Sequence, residues 1–355
     1  MNKYSRAVHT IAAITVLVAL LLPGCSKDSS TGPGGPAPTT SLQANGALTN
    51  ITRSQIQGTV FVADQSGNAI TGLTAQDFNV RLMWGTGLPK ITADSVIGSV
   101  VISTLSQSGK KIAAGMTMDY SGSMYTGATD PVTFKTVRIM QMETAVKSFI
   151  QAMGTADIAE IMKFDDVIHV VQPFTNSKSL LTAAVDSSLS LDGNTALYSS
   201  IDQELFDVSA QSASVYSRAV IAFTDGGENS SSISRDSLIG HAVHLGIPVY
   251  TVGLLDSSLH TTPPGIYNSG LYNGGPEWDL VNIADTTGGL YFYAPTAAQL
   301  AQIYSGISGQ MNNALVMTIN WPLTGLPPAG TAVVAYIKVT YNGVSTTFKR
   351  PYTIP

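Results

Sequence analysis

The chain has 355 residues, 44% hydrophobic and 12% charged, with 18 Lys and Arg against 23 Asp and Glu for a formal net charge of −5. At roughly 150 residues per domain this is enough for about two domains and a sizeable core, and 33 Gly with 17 Pro excludes a collagen-like or low-complexity chain. Few charges with an acidic balance exclude the basic footprint of a nucleic-acid binder and favour a neutral, hydroxyl-rich surface of the kind exported proteins carry.

Lys3 and Arg6 precede a run over residues 11–22 that is apolar but for Thr15, and Pro23, Gly24 and Cys25 follow. The run is too short for a membrane-spanning helix, which takes about 20 residues, and fits the apolar region of a secretory signal. Residues 1–24 therefore read as a signal peptide. Cys25 is the single cysteine, so no intramolecular disulfide is available. Leu22-Pro23-Gly24-Cys25 resembles the lipobox of bacterial lipoproteins, with Pro23 a departure from the usual residue there. That resemblance implies that Cys25 becomes the lipidated first residue, tethering the chain to a membrane without spanning it. Ser26 after the cysteine favours, by the same resemblance, the outer membrane or cell surface over the inner membrane. Loss of Lys3 and Arg6 moves the net charge from −5 to −7. Residues 25–50, rich in Gly, Pro, Ser and Thr, read as a flexible tether that cannot bury enough to offset its ordering entropy.

Residues 51–108 alternate with period two and carry Gly and Asn turns, predicting strands over 56–64, 69–73, 77–83 and 95–105. Residues 109–310 change pattern: near-continuous apolar runs at 112–118, 157–164, 167–174, 218–224, 247–255 and 289–294 alternate with helical segments near 136–153, 177–189, 196–209, 234–245, 278–287 and 297–311. That is a doubly wound α/β domain, a mostly parallel sheet with helices on both faces. In its first helix Val137, Met140, Met142, Ala145, Val146, Phe149, Ile150 and Met153 form one apolar stripe. From 311 to 355 the period returns to two. These late strands can complete a β-sandwich with residues 51–108, which would make the α/β domain an insertion, since a few short strands rarely stand alone.

Asp119-Tyr120-Ser121-Gly122-Ser123 places three oxygen-bearing side chains at alternate positions just past an apolar strand. Taken alone, it reads sooner as a helix-capping serine cluster. Thr195, at the start of a helix, and Asp225, directly after another strand, add two further loops, and open α/β sheets bind ligands beyond the carboxyl ends of their strands. Together with the stretches KFDDVIHVVQPFT, GNTALYSSI, VIAFTDGGENSSS and IADTTGGLYFYA in this order, the residues resemble a von Willebrand factor type A domain with its metal-ion-dependent adhesion site. The resemblance implies that Asp119, Ser121, Ser123, Thr195 and Asp225 surround a divalent cation. Asn194 stands where the family often has glycine. Mg2+, or Mn2+ or Ca2+, is the implied cofactor, a hard ion suited to hydroxyl and carboxylate oxygens. Its open position would take a carboxylate from a protein partner, which Glu228 and Asn229 either contact or leave alone while finishing the loop.

Other candidates point elsewhere. Asp165 and Asp166 read as solvated residues of a tight hairpin. His241 and His244 lack an H-E-x-x-H pattern, and no nucleophile elbow or phosphate-binding glycine loop is present. The Tyr- and Gly-rich stretch 260–278 is long for a connection and reads as a binding loop or an idle insertion. The sequence thus predicts a non-enzymatic, lipid-anchored protein-binding module of the bacterial cell envelope. Two alternatives are a structural subunit of an envelope assembly with a stabilising or vestigial metal site, and, further off, a metal-assisted hydrolase. Oligomeric state is not legible.

Overall fold

A computed structural model describes residues 39–65, 68–85, 95–105, 107–189, 193–225, 227–255, 260, 275–294, 311 and 313–355. The expected signal peptide, Cys25, the first part of the tether, the helix expected at 297–311 apart from Met311, and residues 261–274 of the long loop lie outside the described residues. Four strands come first: β1 (Leu42–Thr49), β2 (Gln55–Asp64), β3 (Phe78–Met83) and β4 (Ser95–Thr104). The α/β segment then runs β5 (Lys111–Asp119), α1 (Val137–Ala152), β6 (Ile158–Phe164), β7 (Ile168–Thr175), α2 (Lys178–Asp186), α3 (Leu197–Ser209), β8 (Tyr216–Thr224), α4 (Arg235–Leu245), β9 (Val249–Gly253), α5 (Pro276–Thr287) and β10 (Tyr291–Tyr293). The chain ends with β11 (Leu315–Asn320), β12 (Ala332–Tyr341) and β13 (Val344–Thr353).

The α/β sheet has six strands in the order β10-β9-β8-β5-β6-β7, parallel except for the antiparallel edge strand β7. Alternate residues of β5 explain the two covered faces. Ala114, Met116 and Met118 pack with Ile139, Met142, Val146 and Phe149 of α1 and Leu181 and Val185 of α2. The opposite face carries Val220 and Ala222 of β8 under Leu197, Ile201 and Leu205 of α3, Leu238 of α4 and Leu280 of α5. Thr136 and Ser234 each cap their helix through the side chain, accepting from Ile139 N and Ser237 N, which satisfies donors that α1 and α4 would otherwise leave open.

The flanking strands form one antiparallel seven-stranded sheet, β1-β2-β11-β4-β3-β12-β13, in which strands from before and after the α/β segment are interleaved. β11 lies between β2 and β4, and Leu105 N donates to Ala314 O at 3.0 Å, so the α/β segment leaves and rejoins this sheet at one place. The outer strands β1 and β13 also lie against each other, curling the sheet around Ile56, Val60, Val80, Leu82, Met317, Ile319, Ile337 and Val339.

Two expectations need correction. The tether expected over 25–50 ends earlier, because Leu42–Thr49 is β1, paired along its length with β2. Its small residues carry little hydrophobic signal but permit close approach: the α5 end at Gly288 lies against the backbone of Gly46, and the α4 end at Gly246 against Leu48 O. Asn45, 2% exposed, donates to Gly289 O at 2.6 Å and accepts from Arg350, whose guanidinium also reaches Gly46 O. The strand expected at 69–73 is reduced to a bridge between Ala63 and Ala69, and the chain turns at Gly72 with φ 78°.

Candidate metal centre

The strand order sets the position of the site. From β5 the chain proceeds to β6 on one side, while β8 leads to β9 and β10 on the other. The carboxyl ends of β5 and β8 therefore flank the point where the winding reverses, the usual binding crevice of an open α/β sheet. Asp119 is the last residue of β5, and Asp225 directly follows β8. The β1 contacts to the ends of α4 and α5 lie at the opposite end of this sheet.

Asp119 is fully buried. One of its oxygens accepts Ser121 N at 2.8 Å and the other accepts Thr224 Oγ1 at 2.6 Å. The chain then turns through a short 3-10 segment at Gly122–Tyr125. Ser121 Oγ lies 3.2 Å from Ser123 Oγ, and Ser123 Oγ donates to Asp225 Oδ1 at 2.9 Å. Ser123 is exposed while Asp119, Ser121 and Asp225 are buried, so the group opens to solvent on one side.

The second loop is tied in through backbone. Gly122 N donates to Gly193 O at 2.9 Å. Gly193 N donates to Asp165 Oδ2 at 3.0 Å, and a Cβ on Gly193 would lie 2.0 Å from Asp166 Oδ1, so a larger residue there would have to displace that exposed side chain. Thr195, 3% exposed, donates its N–H to Asn229 Oδ1 at 2.8 Å, and its carbonyl accepts Asn229 N at 3.0 Å. The three loops carrying Asp119, Ser121, Ser123, Thr195 and Asp225 are thus joined pairwise.

Burial first, and then the neighbouring Asp225 charge, push the Asp119 carboxyl up to about 7. Asp225 is also raised by burial, an effect that Ser123 and the Arg138 guanidinium oppose. Two buried carboxylates in mutual repulsion, with hydroxyl oxygens bonded between them, are a donor set that a hard divalent cation fits.

The remaining sequence candidates fall as follows. Glu228 accepts from Tyr198 N, Ser230 N, Ser231 N and Ser231 Oγ, so the bonds it makes, like those of Asn229, close the third loop and the start of α3. Asp165 differs from the expected solvated turn residue. It is 5% exposed and accepts Val167 N and Gly193 N, while its carbonyl accepts Ala196 N, which positions the Thr195 loop. Asp166 is exposed, as expected. His241 pairs with Asp202 at 2.7 Å. At the edge of the long loop, His260 stacks on Tyr293 with centroids 3.6 Å apart and bonds Glu277 at 2.6 Å. Sequence reasoning also passed over Thr224 and Arg138. Thr224 adjoins Asp225 and was findable as a second hydroxyl in the same loop, whereas Arg138 reaches the site only through the fold.

The geometry defines an α/β unit with an oxygen-lined crevice at its switch point. Residues 116–228 match the von Willebrand factor type A domain family. Among solved structures, the chain is similar to a von Willebrand factor type A protein from Catenulispora acidiphila, at 11% identity over 89% of this chain and 73% of that one, with a TM-score of 0.44. It is also similar to an aerotolerance-related membrane protein from Bacteroides fragilis (17% identity, 57% of this chain, 98% of that one, TM-score 0.44). A third is the vWF domain of the type V pili tip protein Mfa5 from Porphyromonas gingivalis (13% identity, 57% and 96%, TM-score 0.39). No curated protein matches the chain.

Proposed function

We propose that the protein is a protein-binding module of the bacterial cell envelope, held by a lipid on Cys25, that captures an acidic group of its partner through a divalent cation. Asp119, Ser121, Ser123, Thr195 and Asp225 would hold Mg2+ or Mn2+, and the ion would supply an open coordination position to the partner's carboxylate. The observation that carries this reading is the joining of three sequence-distant loops into one oxygen-lined group through Ser123–Asp225, Gly122–Gly193 and Thr195–Asn229. We read the protein as a binder. Residues 25 to about 41 would serve as the tether.

Titration of the purified protein with Mn2+ by calorimetry tests the reading. The parent protein is expected to bind one ion, and Asp119→Ala to lose binding by about a hundredfold or more, since a buried charged partner of the ion is removed. The Asp119→Ala protein should stay folded by circular dichroism. A parent protein that takes up no divalent ion would refute the proposal, and partner capture that survives EDTA would favour the structural-subunit alternative.

A further inference from the structure

Between the first loop and α1 the chain makes a compact excursion. Asp130 Oδ1 accepts Val132 N and Thr133 N, Asp130 N donates to Lys135 O at 2.9 Å, and Lys135 Nζ bonds Glu143 at 2.7 Å. Thr136 Oγ1 then donates to Met124 O at 2.6 Å, fixing the start of α1 beside the first loop. In consequence Arg138, in the first turn of α1, points back across the site. Its Nη1 donates to Asp225 Oδ2 at 3.0 Å and to Ser123 O at 3.1 Å, and its side chain is 19% exposed. Asp225 therefore has one oxygen on Ser123 Oγ and the other on a guanidinium. Lys135, in the same excursion, is held by Glu143.

A charge-assisted guanidinium–carboxylate bond is among the stronger polar contacts a protein makes, and here it uses an oxygen of one of the two acidic groups expected to face the metal. The same guanidinium clips the first loop to the third, so the loops are held at close spacing by a charge that belongs to the chain. We propose that Arg138 is a tethered counter-cation of the site: it holds Asp225 when no metal is present, must yield that carboxylate to a divalent ion, and thereby sets the ion concentration at which the site loads. This rests on the divalent-cation reading above. Linkage then ties two observables together. Whatever free energy Arg138 gives the metal-free protein is subtracted from metal binding, so its removal weakens the empty protein and tightens the loaded one.

The test compares the full protein with Arg138→Gln and Arg138→Lys, using Mn2+ titration calorimetry and thermal melting in EDTA and in saturating Mn2+. Arg138→Gln is expected to bind Mn2+ about tenfold more tightly, in keeping with loss of one competing unit charge near the ion. It should melt below the parent in EDTA and show a larger Mn2+-induced rise in melting temperature. Arg138→Lys keeps the charge but not the planar fork, and should fall between the two in both measurements. Mn2+ binding by the parent with equal or weaker binding by Arg138→Gln would overturn the counter-cation role while leaving the metal site standing. Absence of Mn2+ binding in parent and variants alike would remove the cation reading itself, and this inference with it.

Discussion

Gly288→Ala is expected to destabilise the protein by about 2 to 4 kcal/mol, from adding overpacking of about 1 to 3 kcal/mol to about 1 kcal/mol for the strain of alanine at positive φ. Gly288 ends α5 with φ 98°, and a Cβ there would meet the carbonyl carbon and oxygen of Gly46 at 2.4 Å and Ala47 N at 2.6 Å. These are main-chain atoms of β1, which is paired with β2 over its whole length and pinned by Asn45, so no flexible side chain can yield. Urea unfolding should show the loss as a lower midpoint. Gly240→Ala is the matched control, because α4 leaves open space where its Cβ would go. There alanine should stabilise by about 0.5 to 1 kcal/mol, the ordinary cost of glycine inside a helix. A Gly288→Ala loss no larger than about 1 kcal/mol would mean that β1 is not held against α5 as described.

The same strand shows where reading the sequence runs out. β5, β6, β8 and β9 are legible because both faces are covered and most of their residues are apolar, and the helices because their stripes repeat every three or four residues. β1 has neither mark. Gly46 and Ala47 are small because a helix end and the neighbouring strand approach them closely, with Thr59 O at 2.5 Å from a Cβ placed on Gly46, and small polar-flanked residues are also what a tether contains. At the site, Asp119, Ser121, Ser123, Thr195 and Asp225 announce themselves through short local patterns. Arg138 and Asp165 do not. Each acts on a loop that is distant in sequence, Arg138 on Asp225 and Asp165 on Gly193, so their roles exist only once the sheet order has brought those loops together.

Melting temperature is expected to fall as pH rises from about 5 to about 8, and Glu204→Gln to remove much of that slope. Glu204 of α3 is fully buried over Gly115, where a Cβ would lie 2.0 Å from Glu204 Oε1, and Glu160, 4% exposed on β6, is the register partner of Gly115. Both Glu204 carboxyl oxygens and Glu160 Oε1 are buried without a hydrogen-bond donor. Asp207, three residues after Glu204 on α3, adds a further negative group. Burial foremost, then the neighbouring carboxylates, pushes Glu160 up to about 7 and Glu204 well above the usual range. The folded protein thus keeps protons that the unfolded chain, with ordinary carboxyls, gives up near pH 4.5. The native state binds more protons in that interval, so stability is full below the unfolded value and is lost as pH rises through the folded one. Glutamine keeps the volume, carries no charge, and can donate an N–H to Glu160. At pH 8 it should stabilise by about 1 to 3 kcal/mol, given 1.36 kcal/mol for each pH unit of displacement, with little change at pH 5. Asp119 is raised in the same direction when no metal is bound, so parent and variant are to be melted in the same EDTA buffer and the difference between them followed. Equal displacement of the melting curve at pH 5 and pH 8 would show that Glu204 holds no proton through this interval and that the slope arises elsewhere, as at Asp119.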